Sequence, residues 1–97
     1  MKQIDKVIRK EMSEFDKETL EYYINVVGMP EMVGKILILK WVYGLSNVEI
    51  AYKVGYQNAE TISRKITYGV NKFKKAIKRG RIDFPECYKE LLEEDDS

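Results

Sequence analysis

Local chemistry marks the ends of two consecutive helices in the middle of the chain, and this feature constrains the fold more than any other. Ser46 and Glu49 have the spacing of a capping box, in which each side chain accepts a hydrogen bond from the backbone amide of the other residue. Gly55 can adopt the left-handed conformation that ends a helix, and Asn58 is a favourable N-cap for the next one. The sequence therefore predicts a short helix over Asn47–Val54 and a second helix directly after the turn.

The second helix is predicted to be long and amphipathic, running from Ala59 to about Arg79. Apolar or small residues recur in it at intervals of three and four, which places them on one stripe facing the rest of the domain. The opposite face is polar and basic, so it is free to meet a partner. The apolar stripe consists of Ile62, Ile66, Gly69, Val70, Phe73 and Ile77.

The net charge of +1 hides a strongly uneven distribution of charge along the chain. Residues 35–82 contain eleven basic and two acidic side chains, residues 1–34 contain five and seven, and residues 83–97 contain one and seven. Eight basic residues and no acidic one lie between Arg64 and Arg81, counting both ends. Such a field attracts phosphate and makes binding fall steeply with salt. Nucleic acid is therefore the first partner to expect, although many lysine runs are only solvated helix faces.

Two runs of sequence carry a resemblance to a known family. YGLSNVEIAYKVG is similar to a series of glycine, leucine, serine, two variable residues, glutamate, isoleucine and alanine that is closed by a glycine. ETISRKITYGVNKFK matches a recognition helix of the threonine-valine-x-serine-arginine type, with Lys65 rather than Arg64 in the place of the arginine. Together they make the segment from Ile36 to Ile77 resemble region 4 of sigma-70 family factors, the domain that reads the upstream promoter element. The resemblance implies a helix-turn-helix domain that binds double-stranded DNA.

The same resemblance assigns the long second helix to the major groove. The N-terminal turns of a recognition helix approach the base edges, whereas basic residues further along contact phosphate or supply a favourable field. The base-contact candidates are Asn58, Thr61, Ser63, Arg64, Lys65 and Tyr68. The phosphate-contact candidates are Lys72, Lys74, Lys75, Lys78 and Arg79.

The expected function is that of a sequence-specific transcription regulator of the sigma region 4 type, with a phage origin among the options. The same helix pattern also occurs in small terminase subunits, so a DNA-packaging subunit is an alternative. In that role the flanking helices would build a ring, which requires a large closed oligomer. A further alternative is a protein-interaction module that docks on RNA polymerase or on another regulator.

Ninety-seven residues suit one small all-α domain with a helix-turn-helix and an N-terminal helical extension. We divide the chain into an N-terminal helical extension over 1–28, a sigma region 4-like domain over 29–82, and a short C-terminal helix with an acidic tail over 83–97. The segment before residue 29 is too short for the second helical domain of a complete sigma factor. A free-standing region 4 is therefore expected.

The N-terminal extension carries two amphipathic stripes, but its caps leave its helix count open. Ser13 and Asp16 could each cap a helix, so residues 3–27 form either two helices or one kinked helix. The stripes either close the core of the monomer or bind a partner, as in a homo-oligomer or a complex with RNA polymerase. The segment from Met32 to Val42 is the most apolar, and it is predicted to be the central buried helix.

The composition argues against several classes of function. The chain has no histidine and one cysteine, so a histidine-based triad and a zinc site within one chain are excluded. It has no glycine-rich phosphate loop, no secretory signal and no apolar run near the eighteen or so residues needed to span a bilayer. We therefore expect a cytoplasmic protein without catalytic activity, cofactor, metal or membrane partner.

Overall fold

The computed structural model describes residues 3–83. That part of the chain consists of α-helices without strands, which confirms the predicted all-α class. The C-terminal helix and acidic tail that were predicted beyond Asp83 lie outside the described residues. The helices are α1 (Gln3–Ser13), α2 (Lys17–Val27), α3 (Glu31–Trp41), α4 (Asn47–Val54) and α5 (Ala59–Lys78).

The N-terminal extension forms two helices, and Asp16 is the cap between them. The Asp16 carboxylate accepts a hydrogen bond from the amide of Thr19 at 2.8 Å, and that bond lowers the pKa of Asp16 from its usual value. The Ser13 hydroxyl instead donates to the carbonyl of Lys10 at 2.7 Å, within the last turn of α1. Of the two candidate caps, Asp16 therefore begins a helix and Ser13 ends one.

The predicted ends of α4 and the predicted start of α5 are confirmed. The Ser46 hydroxyl accepts from the amide of Glu49 at 3.2 Å, and the Glu49 carboxylate accepts from the amide of Ser46 at 3.0 Å. The bond from the Ser46 amide lowers the pKa of Glu49. Gly55 ends α4 at a φ of 85°, in the left-handed region, and the Asn58 side chain caps α5 by accepting from the amide of Thr61 at 3.0 Å.

α5 is the centre of the domain, because it packs against each of the other four helices. The prediction that the segment from Met32 to Val42 would be central was wrong in this respect: α3 packs on α2, α4 and α5, and Met32 at its start is exposed. α3 is the most apolar helix, but α5 is longer and packs more extensively on the other helices. The buried residues of α5 are Ile62, Ile66, Gly69, Val70, Phe73, Ala76 and Ile77.

One hydrophobic core joins the N-terminal extension to the rest of the described chain. Most residues of the α1 and α2 stripes are buried in this core, and Val7 and Tyr23 pack against it. The packing therefore supports a role of the stripes within the monomer. A second copy of the chain would have to bind other faces of these helices. The buried N-terminal residues are Ile4, Ile8, Met12, Leu20, Ile24 and Val27.

The approach of α5 to α3 is close at Gly69. A Cβ atom at this position would lie 2.8 Å from Leu37 Cδ1 and 3.3 Å from Val33 Cγ1. Leu37 is completely buried, so it has little room to move away. Gly69 therefore sets the distance between the two helices.

We predict that Gly55→Val destabilises the domain more than Ser46→Ala does. Valine at a φ of 85° is strained, since β-branched residues strongly avoid the left-handed region. Ser46→Ala removes one cap, which costs about 0.5–2 kcal/mol. Thermal and urea unfolding measure both effects. Gly55→Asn is the control, because asparagine tolerates this region, and a Gly55→Val protein that melts with the wild type would show that the turn is placed wrongly.

A second prediction concerns Gly69→Ala. Alanine normally stabilises a helix interior by about 1 kcal/mol relative to glycine. At this position the added methyl group must displace Leu37 or Val33. Overpacking of a core costs about 1–3 kcal/mol. Gly69→Ala should therefore lower the free energy of unfolding, measured with urea. Ser63→Ala, at an exposed position of the same helix, should leave it unchanged or raise it slightly. A stabilising Gly69→Ala would contradict the close approach.

Candidate nucleic-acid interface

The outer face of α5 is the polar and basic face opposite its buried stripe. Several base-contact candidates meet at the N-terminal end of this face. A cavity of about 490 Å³ is lined on one side by Thr61, Arg64, Lys65 and Tyr68. Its other side is formed by the N-cap residue and the first turn of α3. The residues of that opposite wall were not predicted from the sequence, because their proximity depends on how α3 packs on α5. The wall consists of Pro30, Met32 and Val33. We call this space the recognition cavity.

Asn58 and Ser63 do not line the recognition cavity. The Asn58 side-chain oxygen accepts from both the amide and the hydroxyl of Thr61, at 3.0 and 3.2 Å. Asn58 therefore has a structural role as the cap of α5, and only its amide nitrogen remains to contact a base. Ser63 is exposed and is therefore accessible to a ligand.

Arg64 is held by an acidic neighbour that was not among the residues predicted from the sequence. Its guanidinium donates to the Glu60 carboxylate at 2.7 Å, one turn back along the helix. The two side chains are 75% and 72% exposed, and a pair in that environment contributes at most about 1 kcal/mol. A ligand can therefore draw Arg64 away from Glu60 at small cost. The spacing of four residues was the signal in the sequence that could have revealed this pair.

Tyr68 stands at the middle of the outer face and is 44% exposed. The ammonium nitrogen of Lys72 lies 5.8 Å from the centroid of its ring, within the range of a cation–π contact. Tyr68 also lines both the recognition cavity and a second cavity further along α5. The outer face is therefore continuous from the base-contact candidates to the phosphate-contact candidates.

The second cavity, which we call the basic cavity, has a volume of about 290 Å³ and lies between the C-terminal half of α5 and the end of α2. No acidic side chain of the described residues lines it. One of its basic residues, Arg81, was missed as a candidate, because it follows the end of the helix and is brought back by the turn. The polar residues of the lining are Tyr68, Asn71, Lys72, Lys75, Arg79 and Arg81.

Lys74 does not lie on the exposed basic face, so its assignment as a phosphate contact is corrected. Its ammonium nitrogen lies 3.2 Å from the Asp5 carboxylate of α1, and the two side chains are only 13% and 19% exposed. The reason is its place on the helix: Lys74 is four residues after Val70 and three before Ile77, both of which are buried. Its side chain therefore points along the edge of the apolar stripe. Lys78 and Arg79, at the end of the helix, are exposed.

The part of the chain that the structure describes offers no cluster of metal ligands. Among residues 3–83, no group of three or more histidine, cysteine, aspartate or glutamate side chains could hold a metal ion. No helix in the same range is long and apolar enough to cross a membrane. Comparison of the chain with protein-family models, with curated proteins and with solved structures gives no match.

We predict that substitutions of two adjacent lysines differ in their effect on stability. Lys74→Ala leaves the Asp5 carboxylate without this partner at a largely buried position, so it should lower the free energy of unfolding by about 1–3 kcal/mol. Lys75→Ala, at an exposed position, should leave stability within about 0.5 kcal/mol of the wild type. Urea unfolding of both proteins measures the difference. Equal stability of the two variants would contradict the structural role of Lys74.

Proposed function

We propose that the protein is a sequence-specific DNA-binding regulator of the sigma-70 region 4 type, which inserts the first turns of α5 into the major groove. One observation carries the proposal: the outer face of α5 exposes cations along its length, and a short capped helix and a tight turn precede it. The resemblance of residues 36–77 to region 4 supports the same class. A transcriptional role and a phage origin belong to the proposal on that resemblance alone.

The side chains of the recognition cavity fit the chemistry of base edges. Arginine and lysine donate to O6 and N7 of guanine, and serine and threonine hydroxyls can contact any base. Arg64 and Lys65 are therefore proposed to read guanine. Thr61 and Ser63 would contact neighbouring positions. Tyr68, at the far end of the cavity, would pack against the sugar or the base at the limit of the reading site.

Glu60 adds a selective element at the first turn of α5. Its carboxylate repels the phosphates of the DNA backbone. The N-terminal end of α5 is therefore expected to approach the bases rather than the phosphates. The ion pair with Arg64 at 2.7 Å holds the guanidinium along the helix before DNA arrives. Because the pair is exposed, Arg64 can leave Glu60 and bind the edge of a guanine at small cost in free energy.

A second candidate function is docking on RNA polymerase or on another regulator. It is favoured by α4, whose outer side exposes Val48 to 69% and Tyr52 to 90%. Exposed apolar side chains one turn apart are typical of protein contacts. This function alone would account for the domain only if the protein had no affinity for DNA at low salt.

The proposal predicts a division of roles along α5. Selection from random duplex DNA should first yield a preferred sequence. Arg64→Ala should then reduce binding to that sequence by about 1–3 kcal/mol and relax the base preference, because it removes a base contact. Lys75→Ala should weaken binding to preferred and scrambled duplexes alike and lower the salt slope by about 1.

Titrations of both variants at several salt concentrations measure this division, with Lys6→Ala on α1 as a control for the removal of one charge. Equal behaviour of the Arg64 and Lys75 variants would contradict the separate roles. Failure of the wild-type protein to bind any duplex at low salt would overturn the proposal as a whole.

A further inference from the structure

We infer that the basic cavity is a discrete phosphate-binding site, completed by Arg81, which takes phosphate groups of the nucleic-acid backbone. The nucleic-acid backbone as the source of the phosphate rests on the proposed function. The phosphate site itself is inferred from the residues of the cavity. It differs from a generally basic helix face in being concave, in including a cation from the turn after α5, and in having that cation fixed in place by a hydrogen bond to α2.

The charge of the cavity is uncompensated within the described residues. The cations that line it are Lys72, Lys75, Arg79 and Arg81, and no carboxylate among residues 3–83 lines it. The ion pairs described within residues 3–83 join lysine or arginine to glutamate or aspartate elsewhere, and none of them uses these four residues. Cations held together without acidic neighbours repel one another, so an anion between them is stabilised.

The position of Arg81 is set by the end of α5. Gly80 has a φ of 73°, which turns the chain back, and the amide of Arg81 then donates to the carbonyl of Ala76 at 2.9 Å. This is the bonding pattern of a Schellman C-cap. The next residue, Ile82, is buried in the core. The backbone of Arg81 is therefore anchored on both sides.

The guanidinium of Arg81 is anchored as well. One of its nitrogens donates to the carbonyl of Val26, near the end of α2, at 2.9 Å. A guanidinium has five N–H donors in a planar fork, so this bond leaves others for an anion. An arginine held in this way loses less side-chain entropy on binding than a freely moving lysine does. Bidentate contact with phosphate is the interaction for which its geometry is suited.

The length of α5 favours the nucleic-acid backbone as the source of the phosphate. A helix of 20 residues is about 30 Å long, whereas the major groove is about 12 Å wide. If the turns around Arg64 and Lys65 read bases, the part beyond Tyr68 reaches the rim of the groove, where the phosphates lie. The basic cavity begins at Tyr68 and continues from there.

The test uses the full chain and two pairs of substitutions that remove the same charge. Lys75→Gln with Arg79→Gln changes the basic cavity at exposed positions, and Lys6→Gln with Lys35→Gln changes exposed lysines elsewhere. Inorganic tripolyphosphate is titrated into each protein while backbone amide signals are followed by NMR. The salt dependence of binding to a duplex of scrambled sequence is measured in parallel. Arg81→Gln and Arg81→Lys are added, with thermal melts to check folding.

A phosphate site predicts saturable shifts of the amides of residues 71–82 in the wild type. Affinity for tripolyphosphate should fall about tenfold in the cavity pair and less than about twofold in the control pair, since only the cavity pair removes direct ligands of the anion. The salt slope for duplex should fall by about 2 in the cavity pair, because each phosphate that is no longer neutralised lowers it by about 0.9. Arg81→Lys, which keeps the charge but not the fork, should bind tripolyphosphate more weakly than the wild type.

The two measurements test the source of the phosphate independently of the proposed function. A lower duplex salt slope in the cavity pair supports the nucleic-acid backbone. Saturable tripolyphosphate binding with an unchanged duplex slope overturns that source and leaves a site for a small phosphorylated ligand. Shifts spread over all basic surfaces, with both pairs alike, overturn the site itself. If the wild-type protein binds DNA without any sequence preference, the proposed sequence-specific function is overturned. The phosphate site is still tested in that case, because its measurement uses a duplex of scrambled sequence.

Discussion

The close packing of α5 on α3 at Gly69 is the contact on which the domain depends. α5 touches every other helix, so its distance from α3 also sets where α1, α2 and α4 can lie. A side chain at Gly69 would meet Leu37 at 2.8 Å and push the central helix outward. The recognition cavity lies between the same two helices, and Val33, which is close to Gly69, is one of its lining residues.

Because α5 is the central helix of the core, its outer face is presented on a rigid support. Val70 and Phe73 are buried on one side while Tyr68 and Lys72 are accessible on the other. Binding a ligand therefore requires little ordering of the backbone, unlike binding by a basic segment that folds on contact. The side-chain entropy of the lysines remains as the main cost, and it is smallest for Arg81, whose backbone and guanidinium are already anchored.

What could be predicted from the sequence was local. The caps at Ser46 and Asn58 join residues three positions apart, so spacing alone identified them. The role of Lys74 could not be found in this way, because its partner Asp5 is 69 residues away. Arg81 was missed because it follows the end of the helix, and the contact with α2 that holds its guanidinium spans 55 residues. The all-α class could be predicted from the sequence. The identity of the central helix could not, because it depends on which apolar stripes pack against each other.

The division of α5 into a buried stripe and an outer face has a consequence for how such a protein can diverge. Ser63, Arg64 and Lys65 do not belong to the core, and Arg64 is tied only to an exposed neighbour. Replacements there leave the packing around Phe73 untouched. Ligand preference can therefore drift through single substitutions that are nearly neutral for folding, while the positions that hold α5 in place tolerate far fewer changes.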